Sequence, residues 1–267
     1  MRMWRELSNL KTNRAYIELL YTIIQCIIVN MINSPYNYKS LSRETIEGKR
    51  HYCLPDGSKV PSVTTILDRT KSAEKAAVLA NWRKRVGEVK AQEITTEAAN
   101  RGTRMHSYLE QYVLTDEMKP LPANPFAQPS WFMAAEVILN GLCHVDEVWG
   151  SEVPVYYSGL YAGTTDLVGK WKGSPAIIDF KQTNKAKKRE WIDDYFIQLA
   201  AYAQAHNNTH GSTISTGVIL MAQQPAILED QSLSTPIYTE YVIEGDEFAH
   251  WTNEWTKKVE QYYAQTK

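Results

Sequence analysis

Ala176-Ile177-Ile178-Asp179-Phe180-Lys181 is the stretch of sequence that decides the fold. An apolar run closed by charged residues is typical of a buried strand that ends at a polar site. Because side chains alternate along a strand, we expect Asp179 and Lys181 on one face and Phe180 in the core. A second carboxylate, Asp166, lies thirteen residues earlier in another strand-like segment. The pattern predicts two carboxylates and an ammonium group at one edge of a sheet.

The segments around this strand predict an α/β fold. Strand patterns cover residues 145–155, 161–171, 176–182, 214–221 and 237–243, and helix patterns cover 72–89, 95–113, 131–139 and 191–206. A last helix should begin with Asp246 as its N-cap and bury a stripe from Phe248 to Tyr262. We therefore predict a single domain over residues 35–267, with a central mixed β-sheet flanked by helices and a helical N-terminal part.

Composition limits the possible functions. The 267 residues are 43% hydrophobic and 22% charged, which predicts a soluble globule. The net charge of −1 means that any nucleic-acid site must be a local basic patch. Cys26, Cys53 and Cys143 have no CxxC spacing, which argues against an iron–sulfur cluster and fits a reducing cytoplasm. No P-loop motif is present, so no nucleotide cofactor is expected.

The N-terminal residues 1–34 are predicted to form an apolar extension. Residues 19–32 are strongly apolar but are followed by no small-residue cleavage site, which disfavours a signal peptide. The run is also too short to cross a bilayer comfortably, so membrane anchoring is disfavoured. Two interpretations stay open: a helix that packs on the body, or a translation start at Met31 that would leave residues 1–30 out of the working protein.

The relative position of the two carboxylates depends on the hairpin between their strands. If residues 172–175 form its loop, Trp171 lies opposite Ala176 and Asp166 lies opposite Lys181. Asp179 then lies opposite Val168, and the three polar side chains share one face within about 5–8 Å. A slip of one residue would turn Asp166 to the other face.

This set of groups suits metal-assisted cleavage of a phosphodiester. A divalent cation held by Asp166 and Asp179 would neutralise charge, orient the phosphate and lower the pKa of a bound water. Oxygen ligands favour Mg²⁺ or Mn²⁺ over zinc. The ammonium group of Lys181 would stabilise the charge that develops in the transition state.

Two helical pairs lie near this set in the sequence. His106 and Glu110 are four residues apart and should share a helix face, where His106 could be a metal ligand or a packing residue. Gly102, one turn earlier, indicates close approach of another element. Gln198 and Tyr202 have the same spacing and would either brace the site or mark the boundary of an amphipathic helix.

A basic run follows the central strand and supplies the predicted contacts to nucleic acid. It consists of Lys185, Lys187, Lys188 and Arg189. Phosphate contacts are the functional interpretation. The alternative is an ordinary solvated loop.

Together these motifs resemble the PD-(D/E)XK nuclease superfamily. The motifs, in chain order, are Gly102-Thr103-x-x-His106-x-x-x-Glu110, Glu152-Val153-Pro154-Val155, Gly163-Thr164-x-Asp166, Asp179-Phe180-Lys181 and Gln198-x-x-x-Tyr202. Within the superfamily, the chain is similar to RecB-like exonucleases, among them phage exonucleases and the mitochondrial genome maintenance exonuclease group. One departure is Gln182, which directly follows the lysine where many relatives have threonine.

The resemblance implies a restriction-endonuclease-like core and a hydrolase that cuts DNA. His106, Asp166, Asp179 and the carbonyl of Phe180 would hold Mg²⁺ or Mn²⁺, and Lys181 would be the catalytic lysine. Gln198 and Tyr202 would support the site or touch DNA, whereas Glu110 and Glu152 match motif positions without an assigned role. We expect an exonuclease acting on single-stranded DNA ends in phage-type replication, recombination or genome processing, in the (host) cytoplasm. The alternatives are an endonuclease on the same core and a DNA-binding protein that does not cut.

Overall fold

The computed structural model describes residues 32–265 of the chain. The strands described are β1 (Ser42–Ile46), β2 (Lys49–Cys53), β3 (Lys59–Pro61), β4 (Val145–Tyr157), β5 (Tyr161–Trp171), β6 (Ser174–Thr183), β7 (Thr216–Gln223) and β8 (Ile237–Ile243). The α-helices described are α1 (Val63–Arg69), α2 (Ala73–Val86), α3 (Glu88–Thr115), α4 (Gln128–Asn140), α5 (Asp193–His210) and α6 (Gly245–Gln265). Short 3-10 turns cover Leu142–His144 and Arg189–Trp191.

The strands form two sheets. A small antiparallel sheet has the order β1-β2-β3, and the central sheet has the order β4-β5-β6-β7-β8. In the central sheet β6 and β7 are parallel and the other neighbours are antiparallel, so the sheet is mixed. The predicted mixed sheet flanked by helices is confirmed.

The hairpin that joins β5 to β6 is tighter than the sequence suggested. Trp171 pairs with Ser174, so the turn contains only Lys172 and Gly173, whose φ angles of 46° and 85° suit a two-residue hairpin. The predicted four-residue loop and its pairing of Trp171 with Ala176 were wrong. The observed register of β6 against β5 differs by two residues from the predicted one. Because side chains alternate along a strand with a period of two, each side chain still points to the predicted face of the sheet.

Each face of the central sheet is covered by helices. On one face α3 and α4 pack against the sheet through buried residues such as Met105, Leu109, Trp131, Ile178 and Phe180. On the other face α1, α5 and α6 do so through buried residues such as Ile66, Ile177, Phe196, Leu199 and Trp255. Phe180 is therefore in the core, as its place in the strand predicted, and the stripe on the last helix is buried at Phe248, Trp255, Val259 and Tyr262.

The N-terminal helices differ from the expectation in two ways. α2 buries none of its residues, so its predicted core positions (Ala76, Ala77, Leu79, Ala80 and Trp82) were wrong. An ion pair of 3.0 Å between Lys75 and Asp194 links this surface helix to α5. Gly87, at φ 89°, separates α2 from α3. The helix predicted over 72–89 therefore ends at Val86, and the helix predicted over 95–113 begins at Glu88. In α6 the helix begins at Gly245, so Asp246 lies in the first turn and is not the N-cap.

Most of the predicted extension 1–34 lies outside the described residues. Where the description begins, the backbone N–H of Asn33 donates to the carbonyl of Val148 at 2.9 Å. Within residues 32–265, no helix combines the length and apolar character that crossing a bilayer requires.

A buried acid in α4 gives a prediction about stability. Glu136 is 9% exposed, and burial raises its pKa to about 7, although Asn140 donates to its carboxylate at 2.8 Å. The folded state then binds more protons than the unfolded state between about pH 4.5 and 7, so this group lowers stability as pH rises through that window. Glu136→Gln should raise the free energy of unfolding by up to about 3 kcal/mol at pH 8 and by less than about 1 kcal/mol at pH 5.

Urea unfolding at the two pH values, with the exposed Glu260→Gln as control, measures the effect. An equal change at pH 5 and pH 8 would contradict the assignment.

Candidate active site

The two carboxylates meet where the pairing of β5 and β6 ends. The last pair in the ladder is Leu167 with Ile178, and the next residues in register are Asp166 and Asp179. The backbone N–H of Phe180 donates to Asp166 Oδ2 at 2.7 Å, in place of continued strand pairing. The two acids are thus neighbours, although Asp166 was expected opposite Lys181.

Lys181 completes the group on β6. Its ammonium forms an ion pair with Asp179 Oδ2 and lies 5.0 Å from the centre of the Tyr195 ring on α5. Only 18% of its side chain is exposed. The ammonium is therefore held between a carboxylate and an aromatic ring and is largely shielded from water.

His106 approaches the carboxylates from α3. Its neighbours Met105 and Leu109 are buried in the core and fix the helix against the sheet. The imidazole Nδ1 then lies 3.4 Å from Asp166 Oδ1, with the ring edge-on to Phe180 at 6.0 Å between centroids. The structure thus brings His106, Asp166, Asp179 and Lys181 together from three elements.

Glu152 joins them from β4, in a position that the sequence did not assign. Its neighbours Ser151 and Val153 pair with Leu167 and Thr165, which places Glu152 across from Asp166. It has a φ of 50°, a left-handed conformation that is unusual for a residue other than glycine. Ligand atoms of His106, Glu152 and Asp166 all lie within 4.8 Å of one another. The Glu-Val-Pro-Val motif was the only signal for this residue in the sequence.

Electrostatic coupling shapes the ionisation of the group. Burial raises the pKa of Asp179 to about 6, although the Lys181 charge opposes the shift. Burial acts the same way on Asp166, but His106 and Lys181 outweigh it and hold the pKa of that carboxyl below its usual range. Burial disfavours the Lys181 charge, yet the two aspartates raise the pKa of the ammonium. At neutral pH the centre therefore holds ionised aspartates beside a protonated lysine.

The donor set fits a hard divalent cation. Magnesium–ligand bonds of about 2.0–2.1 Å require donor atoms no more than about 4.2 Å apart. The ligand atoms of His106, Glu152 and Asp166, all within 4.8 Å of one another, are close to that spacing. Carboxylate oxygens with one imidazole suit Mg²⁺ or, better, Mn²⁺. For Phe180 the structure shows the N–H bound to Asp166, and the predicted role of its carbonyl stays a prediction.

Gln198 and Tyr202 form a hydrogen-bonded pair on α5. Gln198 Nε2 donates to the Tyr202 hydroxyl at 2.8 Å. Tyr202 is 3% exposed, and its ring lies so close to Gly163 that a Cβ there would overlap it. This arrangement supports β5 just before Asp166 and leaves the tyrosine little surface for DNA.

The basic run divides into two parts. The guanidinium of Arg189 binds the Glu247 carboxylate at 2.7 Å and the Val242 carbonyl at 2.8 Å, so it anchors the segment to β8 and α6. Lys188 lies 3.7 Å from Glu190. Lys185 and Lys187 are exposed. The exposed lysines, rather than Arg189, are available for phosphates.

The comparisons with known proteins point to one group. The chain is 28% identical over 214 residues to mitochondrial genome maintenance exonuclease 1 of Xenopus tropicalis, covering 76% of this chain and 57% of the relative. It is 25% identical to the Homo sapiens and Mus musculus proteins of the same name, covering 76% of this chain and 58% and 59% of theirs. No protein-family model matches the sequence.

The predicted resemblance to the mitochondrial genome maintenance exonuclease group is thereby confirmed. The chain spans less than three fifths of the length of these relatives. Their similarity supports a nuclease role for this chain.

Proposed function

We propose that this chain is a metal-dependent DNA exonuclease with a PD-(D/E)XK core. The observation that carries the proposal is the convergence of Asp166, Asp179 and Lys181 at the end of the β5–β6 ladder, beside His106. Structural acids rarely gather in this way unless a cation balances them. The exonuclease names of the relatives support the same class of reaction.

His106, Glu152, Asp166 and Asp179 would hold Mg²⁺ or Mn²⁺, with the Phe180 carbonyl as a further donor. When bound, the cation would neutralise and polarise the phosphodiester and make water a better nucleophile. Lys181 would place its ammonium beside the scissile phosphate and stabilise the negative charge that develops there. Asp179 and Tyr195 would keep that ammonium in position, because they flank it in the structure.

A single-stranded end is the proposed substrate. A cavity of about 220 Å³ lies next to Tyr195 and Gln198 and is also lined by Leu67 and Lys71. The ring of Tyr195 and the amide of Gln198 would receive an unpaired base, while the Lys71–Asp68 ion pair and Asp194 line the rest of the cavity. The surface helix α2 adds exposed Lys84 and Arg85 near its C-terminal end.

Digestion of end-labelled DNA tests the proposal. Linear and circular single strands, and the same sequences as duplexes, would be incubated with Mg²⁺, Mn²⁺ or EDTA. We expect loss of linear single strands only when metal is present, and survival of the circles. Cleavage of circles would indicate the endonuclease alternative, and binding without cleavage under every condition would indicate the non-cutting alternative.

The exposed lysines give a prediction about binding. Lys185→Ala/Lys187→Ala should flatten the dependence of log Kd on log salt by about 1.4, because each phosphate contact to a single strand contributes about 0.7. Fluorescence anisotropy with a labelled single strand in EDTA measures it. Lys59→Ala/Lys257→Ala, with the same net charge, is the control. An unchanged slope would make the basic run an ordinary solvated loop.

The biological setting is also a proposal. Replication, recombination or genome processing of phage type fits an exonuclease that lacks a motor motif. The relatives are named for the mitochondrial genome. A cytoplasmic location for this chain stays a prediction from its cysteine usage.

A further inference from the structure

Arg101 is a buried arginine that the proposed chemistry does not use. It is 4% exposed, and its guanidinium reaches from α3 to the end of β6. Nε donates to Gln182 Oε1 at 3.1 Å, one terminal nitrogen donates to Asn184 Oδ1, and the other lies 3.4 Å from Glu97 Oε1. A buried charge is costly unless its hydrogen bonds are made, so this position depends on Gln182 at the end of β6, Asn184 just after it and Glu97 on α3.

Gln182 is held by α3 at both ends of its amide. Its oxygen accepts from Arg101, and its nitrogen donates to the carbonyl of Ala98 at 3.1 Å. A Cβ at Gly102 would lie 3.4 Å from Gln182 Cγ, an ordinary van der Waals distance, so β6 packs directly against this turn of α3. The element that lies against Gly102 is β6, but the space there would also admit a Cβ.

The contact lies beside the proposed metal centre. Gln182 directly follows Lys181 on β6. Arg101 precedes His106 by five residues, about 7.5 Å along the helix. The Arg101–Gln182 pair thus joins the helix that carries His106 to the strand that carries Asp179 and Lys181.

We infer that the Arg101–Gln182 pair sets the spacing between His106 and the carboxylates, so that both are positioning residues for the metal centre. The inference rests on the proposed function. Donor atoms must lie within a few ångströms of one another to share a cation. Residues that orient metal ligands commonly change metal affinity or activity by about 10–100-fold when they are replaced.

Gln182→Met tests the inference, because methionine keeps the length of the side chain and removes both hydrogen bonds. Calorimetric titration of the full chain with Mn²⁺ measures the metal itself. We expect the Kd for Mn²⁺ to rise about tenfold or more. We also expect kcat on a labelled single strand to fall while KM stays within about twofold, since neither residue is placed against DNA.

Two further variants make the result specific. Gln182→Glu keeps an oxygen that accepts from Arg101 and should recover most of the Mn²⁺ affinity. Gln92→Met removes a glutamine that donates to Thr96 at 3.1 Å on the exposed side of α3 and should change nothing. If Gln182→Met does not fold, Gln182→Asn, whose shorter amide cannot span both partners, takes its place.

The outcomes separate this inference from the proposed function. If Gln182→Met has a lower Tm but binds Mn²⁺ as tightly as the wild type, the pair only stabilises the fold and the inference is overturned. If the wild type and Gln92→Met bind no Mn²⁺ and cut no DNA, the proposed function fails and the inference fails with it.

Discussion

Replacing Lys181 by methionine is expected to lower kcat for DNA cleavage by about 10²–10³-fold while Mn²⁺ still binds. Loss of one preorganised donor to a developing negative charge has a cost of this size. The donor here is an ammonium group that is 18% exposed and lies between Asp179 and the ring of Tyr195. Water cannot easily replace it, because the position is already enclosed.

Methionine is the informative substitution because it fills the same space without the charge. Without the ammonium, Asp179 loses the cation that opposes the effect of burial, so its pKa should rise further. Comparing kcat across a range of pH in both proteins separates that pKa shift from the loss of the ammonium itself. Lys170→Met is the matched control, since Lys170 is on β5 and pairs with Glu147 at 2.7 Å. If the kcat of Lys181→Met stays within about threefold of the wild-type value, Lys181 takes no part in the reaction.

The parts of the fold that sequence predicts well are those with strong local periodicity. Predicted and observed bounds agree for Tyr161–Trp171 and Ile237–Ile243, where apolar residues or β-branched residues define a strand. The same is true of the stripe on α6. Helix α2 is the exception: its alanines and Trp82 suggest a buried face, yet the helix lies on the surface and none of its residues is buried.

Register was harder to predict because it depends on a turn. Ser174-Pro175 looks like turn sequence, but both residues belong to β6, and the turn is Lys172-Gly173. Lysine with a φ of 46° is uncommon in a hairpin turn, so the residue types at 172 and 173 did not predict a two-residue turn there. Because the register differs from the predicted one by an even number of residues, Asp166 lies on the predicted face of the sheet, and its neighbour on β6 is Asp179 in place of Lys181.

Within the candidate site, the residues that sequence picked out are those in short motifs. His106, Asp166, Asp179 and Lys181 stand in such motifs, and the structure gathers them. Glu152 stands in the Glu-Val-Pro-Val motif but received no role from it, and Arg101 was not singled out at all. The place of Glu152 depends on a left-handed backbone angle, and the contact of Arg101 with Gln182 spans 81 residues of sequence. A contact between residues so far apart in the sequence forms only when the sheet has folded, so short motifs do not predict it.

Asp179→Asn is expected to abolish metal binding and, with it, cleavage. The side chain is 5% exposed and is the acid that the end of the ladder brings beside Asp166. An amide supplies a neutral oxygen in place of a carboxylate, so the affinity for Mn²⁺ should fall by more than about 100-fold, beyond the range seen for residues that only orient ligands. Asparagine has the same shape and can still accept from Lys181, so the fold should survive.

Thermal unfolding shows the loss without any enzyme assay. At a Mn²⁺ concentration of about 100 times Kd, binding to the folded state should add about 2.7 kcal/mol to wild-type stability and raise Tm by roughly 5–10 °C. The control Asp246→Asn, an exposed acid in the first turn of α6, should show the same rise, whereas Asp179→Asn should show none. A variant that still gains stability from Mn²⁺ would mean that His106, Glu152 and Asp166 suffice as ligands. Asp179 would then act only as the partner that holds Lys181.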